Sequence, residues 1–575
     1  MSGRAAGEGR RERAGDPSRV VVEIATRGKL VVGEPFFEPG VPIVVDRKGL
    51  GEAGPGDLAV VRTGRGRARI DQLLGPADRI ENVLAGLLLS RGERGAHEPH
   101  TLPEPSLEGR VDLRELTTFT IDPETAKDFD DAISVRPDGD GLRAYVHIAD
   151  VSFFVPAGTP LDRGAAERGF SVYVPGRVAP MLPHELADDA CSLRPHQDRL
   201  TVTVEVPFGA DLEAGEPLFY RSVIRSRARL TYGQAERILA GREAAEPDVE
   251  EGLRLAERLA TELRRRRFAR GALRVETREV TFAFDGHGGV ERASLESEPH
   301  AHMLVEELMI LANEAVGALL AGRRREALYR VHERPDPQSI ERLLTVLAAL
   351  GVPTPPAPEP EQLTGSVAAR LAAEISERVT AYVEQSGRGA EAFPALVLRS
   401  LKQARYDPRN LGHSGLASAA YCHFTSPIRR YPDLVVHRAL LRELGAADDP
   451  PPEDLTELAA HASARERMAA DVEYAADEIC LAWLLDATLF ERGWETVFEG
   501  EIIGLIGSGL FARFGGVFEG FLPARLLPGE YYELNALGTA LEGRRTGRRF
   551  RLGDPIEVRV EKLDRSDGKV SLTLA

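Results

Sequence analysis

The sequence predicts a multidomain α+β protein in which a long central α/β region is flanked by small OB-fold β-barrels. Three observations carry this reading. At 575 residues the chain is too long for one hydrophobic core and must divide into several domains. Both ends consist of short β-branched runs broken by Gly and Pro, the texture of a small barrel. Between them, over residues 101–490, apolar strand-like stretches give way to amphipathic helical ones. The 43% hydrophobic and 28% charged content is that of an ordinary globular protein.

Taken in order, residues 1–18, "MSGRAAGEGRRERAGDPS", are polar and lack an apolar core, which predicts a flexible tail and no secretion signal. The cytoplasm is the expected compartment. Residues 19–100 begin with "VVVEIATRGKLVVG", "VPIVVD" and "GDLAVVRTG", β-branched runs that predict a barrel of the OB or cold-shock kind up to about residue 75. A polar connector follows and leads to Pro103 and Pro105. In residues 101–490, "AYVHIADV" and "LTVTVEV" read as strands and "DVEEGLRLAERLATELRRRR" as a helix, with "GVPTPPAPEPEQ" as a loop. Residues 495–575 return to β texture in "FEGEIIGLIGSGLFARF", "EGFLPARLL" and "PIEVRVEKLDRSDGKVSLTLA", whose glycines and aromatics suit the corners of a five-stranded barrel. No repeat of solenoid length is present.

Composition excludes several classes. The most apolar stretch, "MLVEELMILANEAVGALLAG", is interrupted by Glu306, Glu307 and Glu314, so no membrane span is expected. The three cysteines, Cys191, Cys422 and Cys480, lie far apart without a C-x-x-C pattern, which predicts reduced, partly buried thiols rather than a disulfide framework or a zinc site. The net charge of −17 taken alone opposes a nucleic-acid partner, but total charge averages over every surface, whereas binding depends on the local field. Two stretches run against that average. Residues 399–438 carry Arg399, Lys402, Arg405, Arg409, Arg429, Arg430 and Arg438 against Asp407 and Asp433, and "GRRTGRRFR" groups five arginines between Arg544 and Arg551.

The segment "TIDPETAKDFDDAISV" places Asp122, Asp128, Asp130 and Asp131 within ten positions. Asp122 closes one apolar run, Asp131 opens the next, and Pro123 marks a loop between them. Carboxylates this close repel one another, and the repulsion raises their pKa values unless a counter-charge is present. A hard divalent cation such as Mg²⁺, which prefers oxygen ligands, is an economical counter-charge. An acidic solvated loop is the competing reading of an isolated D-x-D-D.

The wider stretch "GRVDLRELTTFTIDPETAKDFDDAISV", with "YVHIADVSFFV", "SVYVPGRVAPMLPHELADDACSLRPHQDRL", "AHMLVEELMILANEAV" and "YCHFTSPIRRYPDLVVHRAL", resembles the catalytic domain of the RNase II and RNase R family of exoribonucleases. The resemblance runs from residue 109 to the C-terminus, where the last segment is similar to the family's S1-type RNA-binding domain. The N-terminal barrel is similar to a family cold-shock domain. The motif wording is closer to RNase R, although the chain lacks room for a helix-turn-helix and a second cold-shock domain before the catalytic part, and it ends without a lysine-rich tail.

The resemblance implies hydrolysis of single-stranded RNA from its 3′ end, one nucleotide at a time, to nucleoside 5′-monophosphates with Mg²⁺. It implies that Asp122, Asp128, Asp130 and Asp131 hold the metal, with Asp130 the one on which the chemical step most depends. Arg429 matches the arginine that contacts the phosphate under attack, a role that suits a planar guanidinium with paired donors. Thr425 and Ser426 place hydroxyls beside it. Tyr173 matches the tyrosine that stacks on the terminal nucleotide, a contact that tolerates any base. Phe282, in "VTFAF", is the expected partner on the other side of the stack. His423 and His437 are read as loop or helix residues, since no zinc-spaced partners accompany them. No site residue is assigned to the helix containing "ARERMAADVEY". The protein is expected to be a monomer.

Two rival readings compete with this one. A phosphatase with a D-x-D nucleophile needs its first aspartate at the end of an apolar strand, whereas Asp128 follows the polar "PETAK". A catalytically inactive RNA-binding adaptor would have no use for intact metal ligands.

Overall fold

The computed structural model describes residues 19–64, 66–92, 96–274, 280–295, 299–359 and 363–575. The expected tail, residues 1–18, lies outside the described residues.

The N-terminal β-branched runs form a five-stranded sheet in the order Ile43–Val44, Leu30–Pro35, Arg19–Arg27, Asp57–Arg62, Arg69–Pro76. A bridge between Val45 and Ala68 joins its two edges, and Val22, Ile24, Val31, Ala59 and Val61 fill the small core. The connector then holds an element that composition hid. "IENVLAGL" forms helix Ile80–Leu87, and its Ile80, Val83, Leu84 and Leu87 are buried in the main core of the molecule.

The central region is built on a seven-stranded mixed sheet in the order Ala228–Thr231, Phe119–Asp122, Asp131–Asp138, Gly141–Ala149, Asp198–Phe208, Leu218–Arg225, Val111–Asp112. Its first pair and its last pair are parallel, and the strands between run antiparallel. Alternating apolar residues of these strands face helices Pro247–Ala269, Pro299–Gly322 and Tyr431–Glu443, giving one continuous core. The 38-residue helix Leu455–Arg492 runs from this core to the C-terminal barrel. Helices Pro337–Ala349, Gly365–Ser386 and Ala392–Arg399 make a separate small core that includes Leu552 of the C-terminal domain.

The last segment closes into a barrel of strands Phe498–Ile506, Gly509–Phe514, Phe518–Pro523, Val570–Leu574 and Pro555–Leu563, as its β texture predicts. Gly520 is required by close packing there, because a Cβ would lie 2.8 Å from Leu572 Cγ. A three-stranded sheet, Tyr532–Leu534, Ala540–Gly543 and Arg549–Arg551, is inserted between barrel strands and carries the second arginine group. Among the described residues no helix is long and apolar enough to cross a membrane. All three cysteines are free and buried.

Candidate active site

The first half of the site is the connection between two neighbouring sheet strands. Phe119, Thr120 and Ile121 are buried, which anchors strand Phe119–Asp122, and Asp122 ends it as the alternation predicts. Asp131 opens the next strand, opposite Ile148. Asp128 and Asp130 lie in the intervening loop, where Phe129 tucks its ring into the core and Asp130 is only 3% exposed. The carbonyl of Asp130 accepts from Ala149 N–H at 2.9 Å, so the sheet also fixes this residue's backbone.

The second half is the loop "CHFTSPIRRY", nearly three hundred positions away. Its Ile428 N–H donates to Asp130 Oδ1 at 2.8 Å, and Arg429 Nε lies 3.5 Å from Asp130 Oδ2. Several buried groups shape this loop. Asn313, on helix Pro299–Gly322, accepts Phe424 N–H at 2.8 Å and donates to the Tyr421 hydroxyl at 3.0 Å. Asp433, fully buried, accepts Ser426 N–H at 2.8 Å and the Arg430 guanidinium at 2.8 Å. Ser426 is itself buried, and its hydroxyl accepts from Arg429 Nη2 at 3.1 Å. It therefore restrains the arginine, and Thr425 beside it is buried too. Arg429 keeps 46% of its side chain exposed, so one face of the guanidinium meets solvent while its Nε faces the carboxylate.

The same loop is stitched to the strand that carries Tyr173. Ser171 N–H donates to Arg429 C=O at 3.0 Å, and Tyr431 N–H donates to Gly169 C=O at 2.8 Å. Tyr173, in strand Val172–Val174, directs its hydroxyl onto Asp128 Oδ2 in a short hydrogen bond. Its backbone N–H donates to Glu473 Oε1 at 2.8 Å, which brings a residue of the long helix into the site. Asp128, Asp130, Tyr173 and Arg429 are thus assembled from three separate parts of the chain. Phe282 lies on strand Val280–Phe284, half-buried against the main core, and among the described residues it has no ring contact with Tyr173. From that strand it is Phe284, 36% exposed, whose ring abuts Gly176 in the turn after Tyr173.

Burial dominates the electrostatics. It pushes the Asp122 carboxyl up to about 8, helped by the charge of Asp131 and opposed by Thr120 and Arg229. Burial likewise raises Asp131 to about 6 against Arg429 and Arg430, and holds Asp130 well above the usual carboxylate range despite Arg429. Burial and the neighbouring Asp128 keep the Tyr173 phenol protonated, consistent with its donor role. His423 accepts from, or donates to, the Tyr406 hydroxyl at 2.7 Å, and His437 bonds Phe424 C=O at 2.8 Å while stacking on that ring. Burial holds both imidazoles neutral.

The basic stretch over residues 399–438 is largely neutralised by pairing. Lys402 and Arg405 meet Glu333, Arg409 meets Asp407, Arg430 meets Asp433, and Arg438 meets the buried Asp162. In the C-terminal group, Arg544 pairs with Glu533 and Arg549 with Glu542.

The geometry of the four aspartates bears on whether they suit a cation. Among the described residues no three His, Cys, Asp or Glu side chains already converge on one point at ligating distance, and Asp128 and Asp130 each accept a hydrogen bond from a protein donor. Yet Asp122 Oδ2 and Asp130 Oδ2 are buried with no hydrogen-bond partner. Orphaned carboxylate oxygens in a crowded all-oxygen cluster fit a hard divalent cation, which would replace the protons that burial otherwise favours.

The chain is similar to known proteins over most of its length. Residues 110–445, more than half of the chain, match the RNB domain family, and residues 494–575 match the S1 RNA binding domain. The chain belongs to the RNB family. The ribonuclease R of Escherichia coli (strain K12) is 38% identical over 492 residues, covering 82% of this chain. The chain spans 58% of that relative's length. The apo form of Mycoplasma genitalium RNase R superposes with a TM-score of 0.85 at 25% identity, covering 97% of this chain and 89% of that one. Yeast Ssd1, described as a pseudonuclease, shares the fold at a TM-score of 0.65 and 18% identity over 92% of this RNB chain and 68% of that one.

Proposed function

We propose that this RNB-family chain is a 3′-to-5′ exoribonuclease that hydrolyses single-stranded RNA processively to nucleoside 5′-monophosphates with Mg²⁺. The observation that carries the reading is the junction at Asp130, where a buried carboxylate with one orphaned oxygen faces a half-exposed Arg429 at 3.5 Å. Asp122, Asp128, Asp130 and Asp131 would hold the cation, which when bound supplies Lewis-acid stabilisation and an activated water for in-line displacement. Arg429 would bind the scissile phosphate through its exposed face, its orientation held by Ser426. Tyr173 would stack on the terminal base, with Glu473 fixing its backbone. Phe282 is retained as a candidate on the far side of the stack. The tight loops leave the catalytic groups pre-oriented, so little reorganisation is needed when charge develops on the phosphate.

Similarity to ribonuclease R supports the substrate class, and the Mycoplasma genitalium enzyme has been seen with single-stranded and with double-stranded RNA. The RNA's 3′ end is the proposed partner, and a monomer in the cytoplasm is part of the same reading. Three buried free thiols suit a reducing compartment. The alternative, an RNA-binding adaptor, draws on the Ssd1 likeness, but an adaptor has no need of intact carboxylates and Arg429 at one junction.

A single experiment separates them. Single-stranded RNA labelled at either end is incubated with the protein in MgCl₂ or in chelator. Immediate release of 3′-labelled mononucleotide and direct conversion of the 5′-labelled strand to a short end product, both abolished by chelator, are expected. RNA that is bound but stays intact in MgCl₂ would favour the adaptor.

A further inference from the structure

The connection from Asp122 to Asp131 carries two candidate ligands in its interior, yet within its polar segment "PETAK" the one backbone bond among the described residues is Ala126 N–H to Pro123 C=O at 3.2 Å, a single turn that does not reach Asp128. Two residues from elsewhere hold the connection. Ser192 is fully buried, and its hydroxyl accepts Phe129 N–H at 3.1 Å while donating to Lys127 C=O at 2.7 Å. It therefore grips the backbone on either side of Asp128. Leu193 N–H adds a bond to Phe129 C=O at 3.0 Å. On the other limb, Arg229 lies in strand Ala228–Thr231, opposite Thr120. Its Nη2 donates to Pro123 C=O at 2.5 Å and to Glu124 C=O at 2.8 Å, and its guanidinium sits 5.5 Å over the Phe129 ring. The far end of this short strand is fixed in turn by Thr231, which caps the following helix in a reciprocal pair with Gln234.

We propose that Ser192 and Arg229 are positioning residues that clamp the carboxylate loop and set its affinity for a divalent cation. The inference rests on the nuclease reading and deepens it. Carboxylates that must converge on one ion bind it well only if their backbone is already ordered, and residues that orient ligands without touching the metal commonly change affinity by 10–100-fold. Arg229 acts in two opposing ways. As a brace it favours cation binding, and as a positive charge close to Asp122 it disfavours it, so the sign of its substitution shows which prevails.

The test is a MgCl₂ titration without RNA, read by calorimetry and by the shift in melting temperature, on the parent, Ser192→Ala, Arg229→Gln and Arg229→Lys. RNA binding in chelator is measured alongside. We expect Ser192→Ala and Arg229→Gln each to weaken Mg²⁺ binding by about tenfold. Arg229→Lys should weaken it as well, because an ammonium keeps the charge but cannot span both carbonyls and the ring. RNA binding in chelator should stay near the parent value. Unchanged Mg²⁺ affinity in Ser192→Ala would overturn the clamp, as would tighter binding by Arg229→Gln. Should Ser192→Ala lose RNA binding and melt early in chelator, Ser192→Thr decides, since it keeps the hydroxyl: parent-like Mg²⁺ affinity supports the clamp and weakened affinity counts against it. A parent protein that binds no Mg²⁺ would instead sink the nuclease reading itself.

Discussion

Replacing Asp130 by Asn removes one charge from the centre of the site while leaving its shape nearly unchanged. The amide oxygen can still accept Ile428 N–H, now bonded at 2.8 Å, and the residue, 3% exposed, needs no extra room. What is lost is the second carboxylate oxygen, 3.5 Å from Arg429 Nε. If Asp130 were ionised, unit charges at that separation would attract by about 1 kcal/mol in water and about 5 kcal/mol at an effective dielectric constant of ~20, and the proton that burial favours there in chelator makes these upper bounds. The half-exposed arginine puts this pair toward the lower figure. RNA affinity in chelator should therefore change by less than about threefold, under ~1 kcal/mol. Cleavage should fall much further, because Asp130 is a proposed ligand of the cation that would stabilise the charge developing on the phosphate, and losing electrostatic stabilisation of that kind costs roughly 3–4 kcal/mol, or 10²–10³ in rate. Single-turnover cleavage of end-labelled RNA in MgCl₂ and anisotropy in chelator measure the two quantities. A variant that cleaves within tenfold of the parent, or that loses binding as severely as cleavage, would refute the assignment. Stability supplies an independent check. Burial raises the Asp130 carboxyl, so between the ordinary carboxylate value and the raised one the native state holds a proton that the unfolded chain releases. Parent stability thus falls as pH rises through that window, and Asn escapes the loss. In chelator the variant should melt above the parent at pH 8, with the gap closing toward pH 4.

Three further outcomes are expected. Arg429→Lys keeps the charge but loses the planar fork, and should lower single-turnover cleavage about 10²-fold while leaving RNA affinity within about threefold. Tyr173→Ala should weaken binding of a short RNA by about 1–3 kcal/mol, whereas Tyr173→Phe, which keeps the ring and loses only the bond to Asp128, should bind like the parent in a direct titration. Mg²⁺ affinity should rise from pH 6 to pH 8, because protons held at Asp131, near 6, and Asp122, near 8, must leave. Calorimetry in buffers of different ionisation enthalpy should register their release, and a pH-independent affinity with no proton release would contradict this.

What was legible in the sequence was local. Asp122 at a strand end and Asp131 at a strand start follow from the apolar runs on either side of Pro123. The closed C-terminal barrel follows from alternation and glycine spacing. Tyr173 and Arg429 are candidates by family resemblance alone, since an aromatic in a strand and an arginine pair carry no signal of their own. Residues that hold the site in shape were missed. Ser192, Arg229, Asn313, Asp433 and Glu473 act through one or a few hydrogen bonds each, most of them to groups distant in sequence, and no periodicity marks them. The basic stretch over residues 399–438 misled for a related reason, because acids such as Glu333 and Asp162 that neutralise much of it lie far away in sequence. Helix Ile80–Leu87 was hidden because a short apolar run has no fixed periodicity until the core it packs against is known.

Four carboxylates in ten positions are tolerable here for a reason that neither half of the site supplies alone. The strand connection would be an acidic loop if it stood by itself, and the "SPIRRY" loop a surface arginine pair. Asp130 joins them: its carbonyl belongs to the sheet through Ala149, one side-chain oxygen to the arginine loop through Ile428, and the other is left without a hydrogen bond. Protons on the raised carboxyls relieve the repulsion when no cation is present, and that relief is reversible. On the proposed reading, a group that exchanges a proton for a metal beside a fixed guanidinium is stable enough to fold and unsatisfied enough to bind. The same burial that makes these aspartates costly for the fold would then be what lets them take the proposed cation.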